Sequence, residues 1–231
     1  MGRGKLIVIE GGDGAGKSTQ LDLLCARMES VGRVVERLHF PKHDNQFGKV
    51  VDAYLRGELG SKDVLSPEFI ALLYITDFYE SKLHIEASLA AGKDIVLSRF
   101  FSSTLNYQVA LEKKCKDSLW DWIRVVASRL PQPDLVLVLD VPLSVSRKFM
   151  NNANRAEGYK LGKKKDQHES DLVFQQLVRN EYERNIKRLG WVRVDCTDGA
   201  KLLSIEEIGE RVWVRVNSCL NEAQVLKNFF G

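Results

Sequence analysis

Leu6-Ile7-Val8-Ile9-Glu10-Gly11-Gly12-Asp13-Gly14-Ala15-Gly16-Lys17-Ser18-Thr19 is the stretch from which the fold can be read. Four apolar residues in succession suit a strand buried on both faces of a parallel sheet. Gly11 to Ser18 then spell G-x-x-x-x-G-K-S. Leu21, Leu24, Met28 and Val31 recur at helical spacing as far as Gly32, which is placed to end the helix in a left-handed cap. Between a strand and a helix, this pattern lets successive backbone N–H groups turn inward around a polyphosphate, at which the helix aims the positive end of its dipole. Gly11, Gly12, Asp13, Gly14, Ala15, Gly16, Lys17, Ser18 and Thr19 are therefore candidate cofactor-binding residues. Lys17 offers a mobile charge to the β and γ oxygens, and the Ser18 hydroxyl is placed to ligate a bridging Mg²⁺. The motif implies a site for a nucleoside triphosphate.

The composition bounds the rest. A chain of 231 residues, 44% hydrophobic and 28% charged, has the make-up of an average globular protein and suits one α/β domain, 1–231. A net charge of +3 is too weak to argue for a nucleic-acid surface. The sequence has neither a run long enough to span a membrane nor a signal-peptide pattern, so a cytoplasmic location is expected. Cys25, Cys115, Cys196 and Cys219 are scattered without metal-ligand spacing and read as reduced thiols.

Taken in order, Val34 to Leu38 reads as a second strand, followed by the irregular His39-Phe40-Pro41-Lys42-His43-Asp44 where open α/β sheets place ligand loops. A cation there meets a substrate anion or merely solvates a turn; spacing favours neither. Ser66-Pro67 opens a helix expected to run to about Ala91, with Gly92 as its stop. Asp94 to Leu97 is a third strand, with Ser98-Arg99-Phe100 at its carboxyl end beside the phosphate loop. The next helix gathers Ser103, Asn106, Tyr107 and Gln108, and Trp120, Ile123, Val126 and Ala127 mark another. Leu135 to Leu139 is a fourth strand. A Lys- and Asn-rich stretch at about 150–169 has the composition of a lid, a helix from about Ser170 to Leu189 leads to a fifth strand at Trp191 to Val194, and a terminal helix spans Ile205 to Leu220. Short apolar strands alternating with helices predict a three-layer, doubly wound parallel sheet of five strands, of the P-loop NTPase type, with the first strand at its centre.

Together these motifs resemble the thymidylate kinases, and the resemblance runs over nearly the whole chain. It implies ATP·Mg²⁺ as donor, dTMP as acceptor and a homodimer that binds small nucleotides, with neither nucleic acid nor membrane as a partner. Asp13 stands where the family places an acid that meets the acceptor's sugar, and Tyr74 where an aromatic stacks on thymine. Phe78 replaces an arginine expected to face the base. Ser103, Asn106, Tyr107 and Gln108 match the helix lining the thymine pocket. Lys42 or His43 substitutes for an arginine on the acceptor phosphate, and His168 for a tyrosine at the end of the lid. Arg99 is retained and would bridge donor and acceptor phosphates, whereas Ser98 replaces a carboxylate that helps hold the metal's water shell or the arginine. Gly14 stands where some members of the family carry a basic residue in the phosphate loop, so the resemblance places the lid-side catalytic cation in the lid itself, with Arg155 and Lys163 to Lys165 as candidates.

A monophosphate acceptor needs cations and in-line positioning and no general base. Lys17, Arg99, Asp13 and Arg155 are accordingly the expected catalytic set. Two other readings are open: a different nucleotide or nucleoside as acceptor, the nucleoside requiring Asp13 or Glu10 as base, or a nucleotide-binding module without catalysis.

Overall fold

The computed structural model describes residues 2–146, 168, 171–199 and 201–230, with side chains as far as 221. Five parallel strands form one sheet: β1 (Leu6–Gly11), β2 (Val35–His39), β3 (Asp94–Ser98), β4 (Leu135–Asp140) and β5 (Val192–Asp195). Their order across the sheet is β2-β3-β1-β4-β5. The central β1 pairs with β3 from Leu6 opposite Ile95 to Ile9 opposite Ser98, and with β4 from Ile7 opposite Leu135 to Gly11 opposite Leu139. The first strand is therefore central, as expected, and its carboxyl end lies beside that of β3.

Alternation along the strands sends side chains into two separate cores. Leu6, Val8, Ile95, Leu97, Val136 and Val138 pack beneath α3 (Pro67–Ala90), α4 (Phe101–Leu111), α5 (Lys116–Ala127) and α6 (Leu172–Leu189). Ile7, Ile9, Val96, Leu137, Leu139 and Val194 pack beneath α1 (Lys17–Ser30) and the terminal α7 (Ile205–Phe230). Both faces of the sheet are covered, which gives the three layers.

The helix ends follow local chemistry. Ser66 Oγ accepts the Phe69 N–H at 3.2 Å in front of Pro67, and Asp171 caps α6 by accepting the Phe174 N–H at 3.0 Å. Gly190 ends α6 at φ 68°. The sequence reading missed α2 (Gln46–Leu55), whose buried Val51 and Tyr54 sit three residues apart behind an inconspicuous start. It also missed a small antiparallel pair, β6 (Thr197–Asp198) with β7 (Lys201–Leu202). The fifth strand is shifted by one residue and α7 is longer than expected. No helix among the described residues is long and apolar enough to cross a membrane. The expected lid at about 150–169, with Arg155 and Lys163 to Lys165, lies outside the described residues apart from His168.

Candidate active site

The phosphate loop leaves β1 through Gly11 at φ 143°, where a Cβ would lie 2.8 Å from the Leu139 carbonyl oxygen, so only glycine fits this exit. Gly16 at φ 84° turns the chain into α1, with Lys17 as its first residue. The Lys17 ammonium is buried and donates to the carbonyls of Gly11 at 3.0 Å and Gly12 at 2.8 Å. It therefore lies across the loop whose amides it would serve. Ser18 follows, partly exposed, on the first turn of α1.

Facing the loop, at the tip of β3, Arg99 adopts φ 66°, which a non-glycine residue takes up only where its surroundings hold it. Its guanidinium is ion-paired with Asp13, donates to Ser103 Oγ and Tyr107 Oη at 3.3 Å each, and lies 5.2 Å from the centre of the Tyr107 ring. Burial opposes charge on both members of the pair. For Arg99, the Tyr107 oxygen and the Asp13 carboxylate overcome that penalty and keep the guanidinium charged. For Asp13, burial would raise the carboxyl, but Arg99, Lys17 and the Gln175 amide together hold it below the usual carboxylate range. Gln175, on α6, donates to Asp13 Oδ2 at 2.7 Å and fixes the side of the carboxylate that Arg99 leaves. Ser98 is buried at the end of β3. Here the carboxylate paired with the arginine comes from the phosphate loop.

Beneath Arg99 lies a group that the sequence reading considered only as a base. Glu10 is fully buried, and its carboxylate accepts four hydrogen bonds: Phe100 N–H at 3.2 Å, Ser102 Oγ and Ser103 Oγ at 2.6 Å each, and Tyr182 Oη at 2.7 Å. Both of its oxygens are engaged in tying β1 to the start of α4 and the middle of α6.

The other expected residues fall into three groups. Tyr107 and His168 share an aromatic wall with Phe174, ring centres 5.1 to 6.0 Å apart. The His168 Nε2 sits 2.9 Å from Tyr54 Oη, and burial pushes its imidazole down to about 4, so the ring is neutral at physiological pH. Tyr74 is partly exposed and meets Tyr54 edge-on at 6.4 Å. Lys42 and His43 lie in the loop after β2, with His43 Nδ1 2.8 Å from Asp52. Phe78, by contrast, is in the core, only 1% exposed and edge-on to Phe40 at 4.9 Å and Phe100 at 5.1 Å. Asn106 is also buried, bonded to the Ser102 carbonyl and Asn185. Gln108 is buried with no hydrogen-bond partner for either amide atom among the described residues.

Gln175 and Tyr182 escaped the sequence reading although Phe174, Gln175, Val178, Tyr182 and Asn185 repeat at helical spacing. The period marks a buried face without saying that its polar members reach the site.

The thymidylate kinase family model matches residues 9–206. The chain belongs to the thymidylate kinase family. A relative from Bradyrhizobium sp. bearing that family's name is 33% identical over 228 residues, covering 93% of this chain and 94% of the relative. The thymidylate kinase of Schizosaccharomyces pombe is 34% identical over 139 residues, so the match spans 60% of this chain and 62% of that one. Among solved structures, the thymidylate kinase of Candida albicans superimposes with a TM-score of 0.73 at 26% identity, covering 95% of this chain and 93% of its own. Phe78, which stands where the resemblance leads one to expect an arginine, lies in an aromatic cluster of the core with Phe40 and Phe100.

Proposed function

We propose that the chain transfers the γ-phosphoryl group of ATP·Mg²⁺ to dTMP, giving ADP and dTDP for dTTP synthesis. The observation that carries this reading is the pairing of Arg99 with Asp13 at the lip of the phosphate loop, with Lys17 across the loop's base. Lys17 and Arg99 both act on Asp13, and among the described residues the carboxylates beside them, Asp13 and Glu10, are engaged. Glu10 accepts four hydrogen bonds, and Asp13 is held by Arg99 and Gln175. An acceptor that needs deprotonation finds no available base among the described residues there. A monophosphate needs none, because its oxygens are already charged near neutral pH. This disfavours a nucleoside as acceptor.

Lys17 and Arg99 would neutralise charge on the transferred group, Asp13 would orient Arg99, and a lid cation, Arg155 or one of Lys163 to Lys165, would complete the set. Tyr74, Tyr107 and His168 would line the base site, and Lys42 and His43 would hold the acceptor phosphate. The residues present fit Mg²⁺ in that Ser18, on the first turn of α1, supplies a hydroxyl oxygen, a ligand type that suits this hard cation. Ser18 would hold the metal, which would supply charge neutralisation to the triphosphate.

The whole chain is taken as one catalytic unit acting in the cytoplasm as a homodimer. Phe69, Leu72, Thr76, Tyr79 and Leu83 alternate at three- and four-residue spacing along α3. Phe69, Leu72 and Leu83 are exposed, as is Val125 on the adjoining α5. Such a stripe suits packing of two copies. Turnover of dTMP, dUMP, dCMP and thymidine in a coupled ADP assay tests the proposal. ATP binding without ADP formation on any of the four would overturn it.

A further inference from the structure

The segment from Phe40 to Phe47 carries Lys42 and His43, and much of its backbone is held by acidic side chains of α3. The Lys42 N–H donates to Asp77 Oδ2 at 3.0 Å. Three residues further along α3, Glu80 accepts the N–H groups of Gln46 at 3.3 Å and Phe47 at 3.1 Å, which caps the first turn of α2. From α2, Asp52 pairs with His43. The packing leaves little freedom, since a Cβ on Gly48 would lie 1.8 Å from the Lys42 carbonyl oxygen. Asp77 itself is 0% exposed, and its Oδ1 has no hydrogen-bond partner among the described residues. A buried carboxyl with one oxygen on a loop amide and the other unsatisfied is an expensive arrangement, which persists only where the surroundings impose it.

We propose that Asp77 is a positioning residue for the acceptor's phosphate: its ionised carboxylate grips the Lys42 amide and fixes how Lys42 and His43 present their charges. Protonation weakens that grip, because a hydrogen bond to a neutral acid is weaker than one to a carboxylate. The inference rests on Lys42 and His43 being phosphate ligands. Among the described residues, the charged and titratable groups acting on Asp77 are Glu80 on its own helix, Lys42 on the loop and Asp52 on α2, which itself pairs with His43; Phe40 and Phe78 nearby are apolar. Burial, opposed by the Lys42 amide and reinforced by Glu80, pushes the Asp77 carboxyl up to about 7, so the state of the contact changes within the physiological range.

The test compares wild type with Asp77→Asn between pH 5.5 and 8.5, measuring KM for dTMP, KM for ATP and kcat. Titration of the dTMP phosphate affects both proteins alike, so the ratio of the two profiles isolates Asp77. The expected result is a KM for dTMP raised roughly 5- to 10-fold in the variant at pH 8, converging on wild type near pH 6, with KM for ATP unchanged. A ratio that stays constant with pH, or a parallel rise in KM for ATP, overturns the proposal. If Asp77→Asn folds poorly, Glu80→Gln serves instead: loss of its charge moves the wild-type inflection to lower pH, and an unmoved inflection overturns the proposal equally. Lys42→Ala/His43→Ala separates the role of Asp77 from the phosphate-ligand reading beneath it. A raised KM for dTMP in this double variant together with a flat Asp77→Asn ratio refutes the role of Asp77 alone, whereas an unchanged KM refutes Lys42 and His43 as phosphate ligands.

Discussion

Tyr182 Oη donates to Glu10 Oε2 at 2.7 Å, joining the middle of α6 to the end of the central strand across 172 residues of sequence. Ser103 Oγ donates to the same carboxylate oxygen and also accepts from Arg99. The position of the guanidinium is thus coupled to a buried network outside the phosphate loop. Tyr182→Phe leaves a buried carboxylate short of one donor, at a cost of about 1–3 kcal/mol. A lower melting temperature is expected, together with a several-fold loss of kcat and little change in either KM. Wild-type kcat in this variant would uncouple the network from Arg99.

Arg99 makes its contacts with a planar fork that a lysine cannot reproduce. Arg99→Lys and Arg99→Ala are expected to lower kcat/KM for dTMP by about 10²- to 10³-fold while leaving the circular dichroism spectrum intact. Recovery of most of the rate in the lysine variant would show that a point charge suffices.

Phe78 sits edge-on to Phe40 and Phe100 in the core. Phe78→Arg puts a charge among aromatic rings, an unpaired burial that costs several kcal/mol. A melting temperature lower by about 10 °C or more is expected. A stable variant that turned over dTMP faster than wild type would mean that the side chain reaches the base site without disturbing the cluster.

Asp77 also predicts a pH dependence of stability. Its folded carboxyl is raised to about 7 from the ordinary 3.8 by burial. The native state therefore binds more protons than the unfolded chain between those values. The stability that Asp77 contributes is complete below about 4 and is lost as pH rises through about 7. Melting temperatures from about pH 4 to 8 should fall for wild type relative to Asp77→Asn, with most of the divergence between about pH 5 and 7.5. Parallel curves for the two proteins would contradict the assignment.

Leu72→Glu and Leu83→Glu place charges on the exposed stripe of α3. Both are expected to convert a dimer to a monomer in light scattering without loss of secondary structure. A wild-type protein that is itself monomeric at micromolar concentration would remove the stripe as an interface.

The sequence by itself determined the phosphate loop, the five strands and the central place of the first. Those features are local: an apolar run, a glycine pattern and a cap each act through neighbours a few residues away. It also supplied the candidates Asp13, Arg99 and Tyr107, with Asp13 as a candidate substitute for the carboxylate missing at Ser98, but not the contacts among them. Only the tertiary structure decided that the carboxylate paired with Arg99 comes from the phosphate loop, that Glu10 is a buried junction, and that Phe78 and Asn106 face inward. The helical period of α6 is the same whether Gln175 and Tyr182 meet solvent, core or a carboxylate on β1. That choice was made by the crossover connections, which lay α6 against α4 and the end of the central strand and brought groups as far apart as Glu10 and Tyr182 within hydrogen-bonding distance.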